Sequence, residues 1–107
     1  MKTKTISLPR LNRLTPTLES TALKLMEEAG ELAEAIGKLR GLSGEAVHIN
    51  EEETVATIMS ELLDVAQTAV SMMFVMEENY LVDIEEAVEN HIDKLCRKGY
   101  LAKHVKE

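Results

Sequence analysis

Two carboxylates sit where their surroundings are least able to solvate them. From Ile58 to Met76 the chain reads IMSELLDVAQTAVSMMFVM, and Glu61 and Asp64 are its only charges. An ionised carboxylate in so apolar a stretch costs several kcal/mol unless a partner or a metal compensates it. Thr57, Ser60, Gln67, Thr68 and Ser71 extend the pair into one polar stripe at helical spacing, the pattern of a buried helix facing a wet, charged groove. A second acidic run, Glu27, Glu28, Glu31 and Glu34, lies upstream. At about 100° per residue Glu28 falls beside the apolar seam of its helix, Glu31 about 60° further round, and Glu34 points away. Glu28 and Glu31 are therefore the inward candidates.

If the two helices fold back antiparallel over a loop from Gly41 to Asn50, opposed residues have numbers adding to about 91. Glu31 then faces Glu61 and Glu28 faces Asp64. Two acid pairs spaced i, i+3 arrive at one height, and four carboxylates in one patch repel one another strongly at low dielectric. A hard cation with oxygen ligands relieves that repulsion, and Mg²⁺ suits carboxylates that share it with substrate phosphates.

The elements that must position these acids can be read in order. Residues 1–14, interrupted by Pro9, form an arm whose Leu8, Leu11 and Leu14 can pack on the body of the protein. Thr15-Pro16 offers a cap and a first-turn proline, and Leu18, Ala22, Leu25, Ala29, Leu32, Ile36 and Leu39 repeat at spacings of four and three, so a first helix is expected over 16–40. Gly41, Ser43 and Gly44 end it, and a loop is expected through His48. Asn50 followed by Glu51, Glu52 and Glu53 starts a second helix, expected over 51–78 and roughly 42 Å long at about 1.5 Å per residue. It carries two apolar seams, Val55, Ile58, Leu62, Val65, Ala69, Met72 and Met76 on one and Met59, Leu63, Ala66, Val70 and Met73 on the other. One partner helix cannot cover both, so subunits are expected to share a bundle. Asp83 with Glu86 resembles a capping box and opens a third helix over 83–98, stopped by Gly99, with 99–107 as a tail. The fold class is all-α: an antiparallel helical bundle with a long central helix, in one domain, its core completed by oligomerisation.

With 107 residues the chain can bury a core without disulfides; Cys96 stands alone and MKTKTISLPRLNRL has no apolar run long enough for a signal peptide, so a cytoplasmic protein is expected. The net charge of −7 argues against nucleic acid or an anionic membrane surface as the main partner, because neutralising phosphates takes a basic surface. The central apolar run holds two acids and falls short of the roughly 20 residues a bilayer core requires, so no membrane span is expected.

EEAGE at Glu27–Glu31 and SELLD at Ser60–Asp64 together resemble the EExxE…ExxD signature of the MazG-like all-α nucleoside triphosphate pyrophosphohydrolases. KLMEEAGELAEAIGKLRG around the first motif and HIDKLCRKGYL near the end extend the resemblance over roughly residues 20 to 101. The resemblance implies hydrolysis of a nucleoside triphosphate between the α and β phosphates, with Mg²⁺ held by Glu28, Glu31, Glu61 and Asp64, and a homodimer or homotetramer. Glu27 or one of the ligands is a candidate general base. Among cations, Lys94, Arg97 and Lys98 are candidates to reach the phosphates, with Lys38 and Arg40 behind them. Tyr100, beside the basic cluster, is the aromatic candidate for stacking on a base. With Phe74 and Tyr80 the only other rings and no tryptophan, aliphatic walls must do much of that work.

Other readings remain to be separated. Phosphoribosyl-ATP pyrophosphohydrolase and the dimeric dUTPases carry similar acids, and a non-enzymatic helical adaptor would use the second helix only as an oligomer seam. Glu45 and His48 form an ExxH, but a di-iron site needs two such motifs on separate helices. The six methionines suit adaptable core filling better than a binding surface, and His91, on an apolar face, suits a core or interface.

Overall fold

The computed structural model describes residues 1–41 and 50–102, so the expected loop through His48, the Glu45–His48 motif and the last five residues lie outside the described residues. The chain forms three helices: α1 (Leu18–Leu39), α2 (Glu51–Tyr80) and α3 (Ile84–Arg97). No strand occurs among the described residues.

α1 starts at Thr17 and not at the expected Thr15-Pro16. The Thr17 hydroxyl accepts from the Ser20 amide at 3.0 Å while Ser20 Oγ accepts from the Thr17 amide at 2.8 Å, a reciprocal box that satisfies two otherwise orphaned donors. Asn50 and Asp83 cap α2 and α3 by accepting from Glu53 and Glu86. The acids that follow each cap complement the positive end of the helix dipole. α2 ends on Leu81, which is 90% exposed and takes a left-handed conformation at φ 56°.

α1 and α2 lie antiparallel, with Ala35 beside Thr57 at one end and Thr21 beside Ser71 at the other. What they bury between them is unusually polar. Thr21, Glu28, Thr68 and Ser71 are buried, against only Ala35 and Val75 among the apolar side chains of the described residues. α1 is thus turned about one residue from the seam expected for it: Thr21, Glu28 and Ala35 face α2, flanked by half-buried Leu25, Leu32 and Leu39, while Ala22, Ala29 and Ile36 face outward. The buried threonines cost little because their hydroxyls return to the backbone one turn back, Thr21 to the Thr17 carbonyl at 2.7 Å and Thr68 to the Asp64 carbonyl at 3.0 Å.

The apolar seams are only partly covered, with Ile58, Val65, Ala66, Ala69, Val70, Met72 and Met76 half-buried. Val55 and Leu62 on one and Met59, Leu63 and Met73 on the other are all exposed, as are Leu23 and Met26 on α1. α3 packs on neither of the other helices to any extent and buries no residue fully. By length and composition alone α2 is apolar enough to cross a bilayer, a measure that core helices of water-soluble proteins also pass. Here it carries Glu61 and Asp64 at its centre and α1 along its length.

The arm runs back over the top of this pair without regular structure. Gln67 Nε2 donates to the Pro9 carbonyl at 2.8 Å, and Arg10 grips Glu78 through Nε at 2.8 Å and Nη2 at 2.7 Å.

Candidate active site

The antiparallel register brings the acidic runs of α1 and α2 to one height. Glu28, Glu31 and Glu61 each offer a carboxylate oxygen, and the three oxygens lie within 4.8 Å of one another. Glu28 is buried, Glu61 half-buried and Glu31 exposed, an arc that opens from the helix interface to solvent. The Glu28 charge, with partial desolvation and Glu61 behind it, holds the Glu31 carboxyl above the usual carboxylate range.

Hydrogen bonding separates these acids from every other buried polar group described. Glu28 Oε1 pairs with Lys24 Nζ at 3.0 Å. Its Oε2, and Oε2 of Glu61, are buried with no partner, the only such side-chain atoms among the described residues. A buried carboxylate oxygen left unpaired costs the desolvation of a charged group, so the pair forms a standing demand for a cation. Three convergent carboxylates with free lone pairs are oxygen donors of the kind a hard divalent ion takes, so the donor set fits such a metal.

Asp64 stands outside this three-acid arc. It is exposed, and it meets Glu28 across a cavity of about 490 Å³ between the two helices and the arm. A second cleft, about 330 Å³, opens on the other side of the arc between Glu31, Glu61, Glu34 and Glu53. Glu27 is on the exposed side of α1, 3.8 Å from Lys24 Nζ. Lys38 lines the second cleft, its ammonium 3.8 Å from Glu34, whereas Arg40 lines neither space. Lys94, Arg97, Lys98 and Tyr100 also line neither, because α3 and the turn after it stand away from the α1–α2 pair.

Two features escaped the reading of the sequence. Lys24 is the cation closest to the acids, and its spacing of four from Glu28 was the available signal. The arm walls the larger cavity through Leu11, Leu14 and Pro16, and only the spacing of its leucines hinted at packing.

The model of the MazG nucleotide pyrophosphohydrolase domain matches residues 16–99, most of the chain and all three helices. The chain belongs to the MazG family. It is accordingly a hydrolase of the kind that acts on nucleotide pyrophosphate bonds, and MazG members typically work with a divalent metal. The matched segment contains all four acids named above, Lys24 and the α3 basic cluster, and excludes the first 15 residues. No curated protein and no solved structure matches the chain.

Proposed function

We propose that the protein hydrolyses (deoxy)nucleoside triphosphates to the monophosphate and pyrophosphate, using Mg²⁺ at Glu28, Glu31, Glu61 and Asp64, in clean-up of the cytoplasmic nucleotide pool. The observation that carries this reading is the pair of buried, unpartnered oxygens on Glu28 and Glu61, inside an acidic arc in a MazG-family chain. Glu28, Glu31 and Glu61 would hold the ion, and Asp64 approaches from the cavity side of Glu28. When bound, the ion neutralises phosphate charge and lowers the pKa of a coordinated water.

The chain's own groups divide the remaining work. Glu27 accepts the proton of the attacking water, whose oxygen joins phosphorus as the α–β bridge breaks and pyrophosphate leaves. Lys24, fixed by Glu28, offers an ammonium at the mouth of the cavity. Lys94, Arg97, Lys98 and Tyr100 reach a substrate only if another copy brings its α3 to the site. The uncovered seams of α2 and the unpacked α3 support such a homodimer or homotetramer.

The test is incubation of the protein with a panel of (d)NTPs and Mg²⁺, scored for pyrophosphate. Pyrophosphate from at least one nucleotide, lost in Glu61→Gln while the oligomer stays folded, is the expected result. Absence of pyrophosphate with every nucleotide contradicts the reading and favours a helical adaptor.

A further inference from the structure

The two spaces flanking the acidic arc differ in chemistry. The cleft bounded by Glu31, Glu34, Glu53 and Glu61 has Lys38 as its one cation and offers carboxylates where a ligand would need donors or an apolar face. The larger cavity shares Glu28 with the arc, and Leu11, Leu14 and Pro16 of the arm form an aliphatic wall opposite the hydroxyls of α1 and α2. Its volume of about 490 Å³ falls in the usual range for small-molecule sites, which pair apolar walls with a few placed polar groups. Of the two spaces, the arm side offers a nucleotide whose phosphates sit at the arc an aliphatic wall for its base, away from the carboxylates of the other cleft.

That wall is carried by a segment with no regular structure, so its position depends on its anchors. Gln67 holds the Pro9 carbonyl from inside the cavity. Arg10 holds Glu78 with two short parallel hydrogen bonds, outside the cavity and two helical turns beyond Ser71. The bidentate geometry fixes direction as well as distance.

We propose that the N-terminal arm through Pro16 is the nucleoside wall of the substrate site, and that the Arg10–Glu78 ion pair is the latch that positions it. This rests on the proposed nucleotide hydrolysis and adds the residues that select the nucleoside. Arg10 and Glu78 are positioning residues; Leu11, Leu14 and Pro16 make the contact.

The experiment uses the full chain and the nucleotide that it hydrolyses fastest. Arg10→Ala and Glu78→Ala are each expected to raise KM about tenfold, or about 1.4 kcal/mol of binding, with kcat within about twofold. The exchange Arg10→Glu with Glu78→Arg should restore most of the loss, and Mn²⁺ affinity without nucleotide should be unchanged in all three. Leu14→Ala trims the wall with the latch intact and should raise KM and narrow the difference between purine and pyrimidine substrates, so the test survives a latch variant that fails to fold. Unchanged KM in the latch variants and in Leu14→Ala, with an active wild type, overturns the role of the arm alone. A wild type that binds Mn²⁺ yet hydrolyses no nucleotide overturns the functional reading, and this inference with it.

Discussion

In the proposed mechanism the chemistry turns on Glu28 and Glu61, because each has a buried oxygen with nothing to bond. Neighbouring buried hydroxyls show that the fold can satisfy polar groups internally when it is built to, as Thr21 and Thr68 do through their own backbones. In the proposed site the acids would trade stability of the metal-free protein for affinity toward a cation. Glu61→Gln removes one like charge and should raise the melting temperature of the metal-free protein by a few degrees while abolishing the further rise that Mg²⁺ gives the wild type. Thermal melts with and without Mg²⁺ check both halves. Its turnover should fall by on the order of 100-fold or more. At the other end of the site the Arg10 guanidinium holds the Glu78 carboxyl below its usual range. A depressed folded pKa contributes stability that is present above the unfolded value and lost as pH falls through the folded one, so the arm should loosen on acidification within and below the normal carboxylate range. Hydrogen exchange at residues 8–16 reads this directly, with loosening expected in the wild type and an already loose, pH-independent arm in Glu78→Ala.

At the level of elements, α1 and α2 act as two rulers whose antiparallel register sets which acids meet. Their caps are local and strong, and the Thr17 box fixes where α1 begins. Thr17→Ala should cost about 1 kcal/mol of stability, measured by denaturant unfolding. The end of α2 is the opposite case. Leu81 adopts a left-handed conformation that costs a residue with a side chain roughly 1–2 kcal/mol and suits glycine better. Leu81→Gly should stabilise the protein by up to about 1 kcal/mol in the same measurement. A loss of stability would mean that the exposed leucine is buried against a partner.

Helix existence was legible because the apolar period, Asn50 and Asp83 all gave the same answer. The facing of Glu31 and Glu61, and of Glu28 and Asp64, was legible from the loop length and helical periodicity. The rotation of α1 was not, because Ala22, Ala29 and Ile36 share the apolar period of a core face and yet are exposed. The split between Asp64 and the other three acids was also hidden, since equal register does not fix which way a side chain leans. The arm's leucines read as able to pack, but its anchors did not show, because Pro9 to Gln67 and Arg10 to Glu78 span 58 and 68 residues and leave no periodic trace.

For the whole molecule, the dimensions are those of an elongated body. The radius of gyration is 17.5 Å, against about 13 Å for a compact chain near this length, and the extents are 50 × 40 × 21 Å. A 30-residue helix of about 45 Å accounts for the long axis, and α3, which packs on neither of the other helices, adds to the spread. The polar stripe between α1 and α2 supplies little hydrophobic burial, and the proposed homo-oligomer would add to it by covering the exposed parts of the seams. Leu63→Glu should convert an oligomer of two or four chains to monomer and lower its melting temperature, as read by light scattering and thermal unfolding. A wild type that is monomeric at micromolar concentration would contradict the shared bundle.

The central claim is that Glu28, Glu31 and Glu61 form a cation site, and anomalous scattering from crystals grown with Mn²⁺ tests it most directly. The expected result is a peak about 2.1 Å from oxygens of those three residues, with the orphaned Oε2 atoms of Glu28 and Glu61 among its ligands. Mn²⁺ bound elsewhere in an active enzyme, with these carboxylates unliganded, would contradict it.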